Sequence, residues 1–274
     1  MANWRSLRAI TIRSLSVAIV AVAGSLCLSV APASAAPVTR VPPANIPIGA
    51  LPQACGRAPA GSVCLNAVVV ALDSARADID LGPYALPADF DSLPGAEQIL
   101  ILSNLDRIAY RLQPIAGLST TLASAAESAM LSDVDPDPTS LLGDLSVYGW
   151  TSNWAGEWAN APYAYYEWMY DDGYSGPETS NIDCTSAAAS GCWDHRRNVL
   201  AFSSAGTLSL GAAVGTDASG NSSYATTLVW TPRTDWTSYS FTWAQAKAAG
   251  AGAVHNGRLA RHQVVKRRRH NKSH

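Results

Sequence analysis

The sequence predicts a protein that mixes α-helices with β-strands (α+β), and three observations carry that prediction. Apolar residues recur at three- and four-residue steps through two stretches, Leu65 to Asp80 and Gly95 to Leu112. A small, Ala-rich stretch from Leu118 to Leu131 keeps apolar helical spacing. Two β-like runs, Leu208 to Val214 and Tyr224 to Trp230, flank the turn-rich connector Thr216 to Asn221, which makes them a hairpin.

Taken in order, residues 1–35 read as a cleavable export signal. Arg5, Arg8 and Arg13 form a basic start, an uncharged apolar run follows from Leu15 to Val30, and Ala33-Ser34-Ala35 supplies small residues for cleavage. That run is shorter than the roughly 20 apolar residues that cross a bilayer, so no transmembrane segment is expected after cleavage. The destination is extracellular, with cell-wall association as a further expectation. Residues 36–54 hold Pro37, Pro42, Pro43, Pro47 and Pro52 and read as an extended, poorly ordered linker.

Four cysteines remain after the signal, in two local pairs. Short separations in an oxidising compartment favour disulfides Cys55–Cys64 and Cys184–Cys192; a zinc site lacks CxxC spacing and nearby histidines. Residues 55–94 then form a disulfide-stapled N-terminal helical extension. In the second helix Ile99, Leu100, Leu102, Leu105, Ile108, Ala109 and Leu112 make the apolar face, which leaves Asn104, Asp106, Arg107 and Arg111 for the remaining surface. Residues 147–193 concentrate tryptophan and tyrosine, as a core or as the lining of a cleft. Residues 233–274 lose pattern and read as an Ala/Gly-rich, basic disordered tail.

Charge is unevenly spread. Residues 37–250 hold nine Lys or Arg against 21 Asp or Glu, while the chain beyond 250 holds seven basic residues and no acid. Such a tail suits an anionic envelope polymer better than nucleic acid, because it has no aromatic residue to stack on bases. Phosphate-binding glycine loops, HExxH and GxSxG are absent, which removes several enzyme classes. Four of the five histidines lie in the tail, so any imidazole chemistry in the body falls to His195.

The segment Trp193-Asp194-His195-Arg196-Arg197-Asn198-Val199-Leu200 resembles the GHRxNIL signature of the CAP superfamily, the cysteine-rich secretory, antigen 5 and pathogenesis-related proteins. The bacterial SCP-like extracellular branch is the nearest in pattern. Asn104 to Arg107 with Gly117-Leu118, Gly156-Glu157-Trp158-Ala159 and Trp168-Met169 resemble further family segments in the same order, so the resemblance covers residues 95–232. It implies a three-layer α-β-α sandwich with a central antiparallel sheet and an open cleft. The cleft set it implies is Glu157, Asp171 and His195, with Asp133 where a family histidine is expected.

Three carboxylates and one imidazole form a hard donor set, for which calcium, magnesium, manganese or zinc would each serve as a single divalent ion. Three functions follow as expectations. The first is an extracellular or envelope binding module for an apolar or envelope ligand. The second is a hydrolase using His195 with Glu157 or a metal-bound water. The third is a structural envelope protein with an inert cleft.

Overall fold

A computed structural model describes residues 40–59, 61–143, 148–176, 179–188 and 192–253. The export signal and residues 254–274 of the basic tail lie outside that set. Helix α1 (Ala54–Arg57) is joined to α2 (Ser62–Asp78) by the Cys55–Cys64 disulfide, and Cys184–Cys192 closes a second short loop. Both local pairings expected from the sequence are present.

α3 (Gly95–Ala109) is the centre of the molecule, and every residue from Gln98 to Arg107 is buried. This corrects the expectation that Asn104, Asp106 and Arg107 face solvent, and Arg111 alone of that set is exposed. The physical reason is that their polar groups are satisfied internally. Asn104 exchanges two hydrogen bonds with the backbone of Ile115, accepting from its N–H at 2.6 Å and donating to its carbonyl at 3.0 Å. The Asp106 carboxylate accepts from Arg76 of α2, from the Tyr84 hydroxyl at 2.5 Å and from the Tyr165 hydroxyl at 2.7 Å. The Arg107 guanidinium donates to the carbonyls of Val199, Ala201 and Phe202.

Five strands make one sheet in the order β2-β6-β5-β1-β7, formed by β1 (Gly117–Ser119), β2 (Gly149–Gly156), β5 (Thr207–Thr216), β6 (Ser222–Thr231) and β7 (Tyr239–Thr242). A separate small hairpin joins β3 (Gly173–Gly176) to β4 (Thr179–Asp183). The expected antiparallel sheet is corrected to a mixed one, since β1 runs parallel to β5. These two strands are linked by a long crossover rather than a hairpin, which is what a parallel pair requires. The hairpin expected from the sequence is β5–β6, paired over ten positions from Thr207↔Thr231 to Thr216↔Ser222.

Alternation along β5 assigns its two faces. Leu208 and Leu210 belong to the main core with α3, and a Cβ on Gly95 at the start of α3 would lie 2.8 Å from Val214 Cγ1. Gly211 and Ala213 face the other way, toward α4 (Ala123–Ser132) and the turn before it: a Cβ on Gly211 would sit 2.6 Å from that of Leu122. α5 (Thr139–Leu142) precedes edge strand β2.

Two expectations about the ends change. Residues 40–51 are extended, as the prolines require, yet they are docked on the body. Tyr110 donates to the Arg40 carbonyl at 2.7 Å, Ile46 N–H to the Tyr170 carbonyl at 2.8 Å, and Ile46, Ile48 and Leu51 pack on the core. The reading of 233–274 as a patternless tail is corrected for its first part. β7 pairs with β1, and α8 (Trp243–Ala248) starts with a capping box between Thr242 and Gln245. Elements of four and six residues carry too little periodicity to be read locally and are held by their tertiary partners.

Candidate functional site

A cleft of about 620 Å³ opens beyond the end of edge strand β2, and all four residues singled out from the sequence border it: Asp133, Glu157, Asp171 and His195. Each arrives from a different element. Asp133 ends α4 in the left-handed conformation at φ 53°, and Glu157 follows β2 at φ 66°. Left-handed backbone on a residue other than glycine costs on the order of 1 kcal/mol or more, so the surrounding bonds must hold it. For Glu157 the hold includes its own N–H, which donates to the Ser222 carbonyl at 2.7 Å.

α6 (Ala161–Tyr170) is capped by Asn160, whose side chain accepts from the Tyr163 N–H, and its far end delivers Glu167, Trp168 and Asp171 to the cleft. α7 (Asp194–Val199) delivers His195. This one-and-a-half-turn helix would not stand alone, and side chains from its neighbours fix it. Asn153 donates to the His195 carbonyl at 3.1 Å, Thr151 to the Asn198 carbonyl at 3.1 Å, and Asn198 back to the Ser152 carbonyl at 2.7 Å. Arg107 takes the carbonyls at its C-terminal end. Arg196 is buried between the rings of Tyr110 and Tyr170 and donates to the carbonyls of Met169 and Arg40. The polar members of the Trp193–Leu200 segment thus serve mainly to seat one histidine.

The carboxylate that holds His195 is Asp172, next to the expected Asp171. His195 Nδ1 lies 2.7 Å from Asp172 Oδ1, and Asp172 is only 1% exposed. Consecutive side chains at a helix end diverge, so one position decides which acid meets the ring. Burial pulls the imidazole down, but the hydrogen bond and charge of Asp172, with Asp135 and Asp194, raise it above its ordinary value. The proton on Nδ1 is thereby fixed, which leaves Nε2 as the ring nitrogen available to a ligand.

Glu167, like Asp172, is a cleft residue that sequence reading missed. Burial, then the charges of Asp171 and Asp172, push its carboxyl up to about 8, so it holds a proton at neutral pH. Its place between Tyr166 and Trp168 in an aromatic stretch gave one signal: a lone acid among apolar residues is poorly solvated. Across the cleft, desolvation and the neighbouring Asp217 carboxylate raise Asp133. In Asp217 desolvation is outweighed by hydrogen bonds from Asn221 and Ser219, and its carboxyl is lowered. Asp217 accepts both backbone N–H groups, at 2.8 and 2.7 Å, and so closes the β5–β6 turn.

The aromatic stretch resolves into core and lining. Tyr165, Tyr166, Tyr170 and Trp193 are buried, whereas Trp154 and Trp158 are half-buried at the cleft. The Trp154 indole donates to Ser223 Oγ at 2.9 Å, and a Cβ on Gly156 would come within 2.8 Å of its ring, so glycine is needed there. The Cys184–Cys192 loop packs against Trp193, two residues before His195.

A resident divalent ion does not fit this arrangement. Among the described residues no three His, Cys, Asp or Glu side chains converge as a chelating group. His195 Nδ1 is taken by Asp172, and Asp133 is engaged with Asp217. The residues share a cleft without sharing a coordination point.

No protein-family model matches this chain, and comparison with curated proteins finds no match. No described helix is long and apolar enough to cross a membrane.

Proposed function

We propose that this chain is an exported, SCP-like member of the CAP superfamily that acts as a binding module at the cell envelope or beyond it, through the acidic cleft around His195 and Glu157. The observation that carries the reading is the convergence of Asp133, Glu157, Asp171 and His195, chosen from four separate sequence segments, on one open cleft. Helices on both faces of the sheet agree with the α-β-α sandwich that the resemblance implies. Two disulfides suit an oxidising destination, and the start of the chain carries the features of an export signal.

The cleft chemistry favours binding over acyl-transfer hydrolysis. Seven carboxyl groups border it, and no Lys or Arg does among the described residues. Negative charge developing on a substrate oxygen would be opposed there rather than stabilised.

Sedimentation of the mature chain with insoluble bacterial envelope, at fixed ionic strength, tests the reading. The Glu157→Gln, Trp158→Ala double variant should lose at least tenfold in retention. A chain ending at residue 253 should keep the part that depends on these two residues. Equal retention of the double variant and the parent overturns the assignment.

A further inference from the structure

Resting on the binding-module reading and naming its ligand class, we infer that the cleft takes an organic cation, an amine carried on an apolar stem. Three independent features converge on that chemistry. The lining is one-signed, with carboxylates from the α4–α5 connection, the end of β2, the end of α6 and the β5–β6 turn. Trp154 and Trp158 are half-buried at the same cleft and give it aromatic and apolar lining. A cation on an indole face gains on the order of 0.5–2 kcal/mol, which bulk water and small inorganic ions do not exploit as an alkylammonium does.

The third feature is at the floor. Asp172 is buried, its Oδ1 is bound to His195, and its Oδ2 has no hydrogen-bond partner among the described residues. A buried carboxylate oxygen left without a donor is costly, and an ammonium N–H is the donor that answers both its charge and its hydrogen-bond deficit. With Glu167 holding a proton, and even counting a positive charge on His195, the remaining lining carries excess negative charge. An anionic ligand would therefore be repelled, and a neutral apolar one would leave Asp172 unanswered.

Calorimetric titration of the mature chain with spermidine, with magnesium chloride as the parallel probe, tests the inference. One saturable spermidine site is expected. Asp172→Asn should weaken it at least tenfold and Trp158→Ala at least threefold, and an equal concentration of magnesium should not displace it. Should Asp172→Asn fail to fold, Asp135→Asn on the exposed α4–α5 connection replaces it, with at least a threefold loss expected. Absence of a saturable site, full displacement by magnesium, or affinities unchanged in both variants overturns the inference. If spermidine fails while envelope retention still needs Glu157 and Trp158, only the ligand class falls and the binding module stands.

Discussion

Two acidic centres each take a residue from α6, Tyr165 in one and Glu167 in the other, and they are built on opposite plans. In the one around Asp106, a single carboxylate meets Arg76 and the hydroxyls of Tyr84 and Tyr165, and every partner is buried. In the one around His195, many carboxyl groups share one imidazole, Glu167 retains a proton, and an oxygen of Asp172 goes without a donor among the described residues. The first is balanced and closed, the second unbalanced and open. The comparison teaches that a charge fully answered within the protein serves the fold, whereas a surplus held at a cleft is what an external partner can answer.

The largest effect that could break this contrast is at the balanced centre. Asp106→Ala would leave Arg76 buried and uncompensated, and should cost about 3–5 kcal/mol, or about 10 °C in Tm. Calorimetric melting checks it, and a loss below about 1 kcal/mol would contradict the closed, structural role. Removing a charge from the open centre should act in the other direction at high pH. The Glu167 carboxyl is raised, so the folded state binds its proton more tightly than the unfolded state does. That contribution to stability is complete below the ordinary glutamate value and is lost as pH rises toward about 8. The raised His195 titrates in the same sense, its contribution being lost as pH rises through its folded value. Melting between pH 5 and 9 should therefore show stability falling with pH, by on the order of a few kcal/mol, and Glu167→Gln should flatten most of the slope. A parallel slope in the variant would remove Glu167 as the cause.

The smallest expected change is at Arg197, which pairs with Asp194 on the solvent side of α7 while Arg196 beside it is buried. Arg197→Ala should shift stability by less than about 1 kcal/mol, since exposed pairs are screened. Ligand affinity should stay within twofold by titration.

Neighbouring arginines with such different fates show how far the sequence could be read. The elements that carry their own pattern were legible: α2 and α3 through apolar spacing, the β5–β6 hairpin through two apolar runs around a turn, and both disulfides through local cysteine separation. The cleft was legible in outline, because His195 stands alone in the body and Asp133, Glu157 and Asp171 fall in segments that resemble one family. Polar burial was not legible. Asn104, Asp106 and Arg107 look like a solvent face until their partners, 6 to 95 residues away, are in place.

By itself, then, the sequence determined the α+β class, the positions of the long elements and the covalent staples, since each rests on interactions between near neighbours in the chain. Only the tertiary structure decided that β1 runs parallel to β5, that residues 239–248 belong to the fold, that Asp172 rather than Asp171 holds His195, and that Glu167 keeps its proton. Those outcomes depend on which side chains meet across space and how much water is left around them. Periodicity in one dimension does not record either quantity.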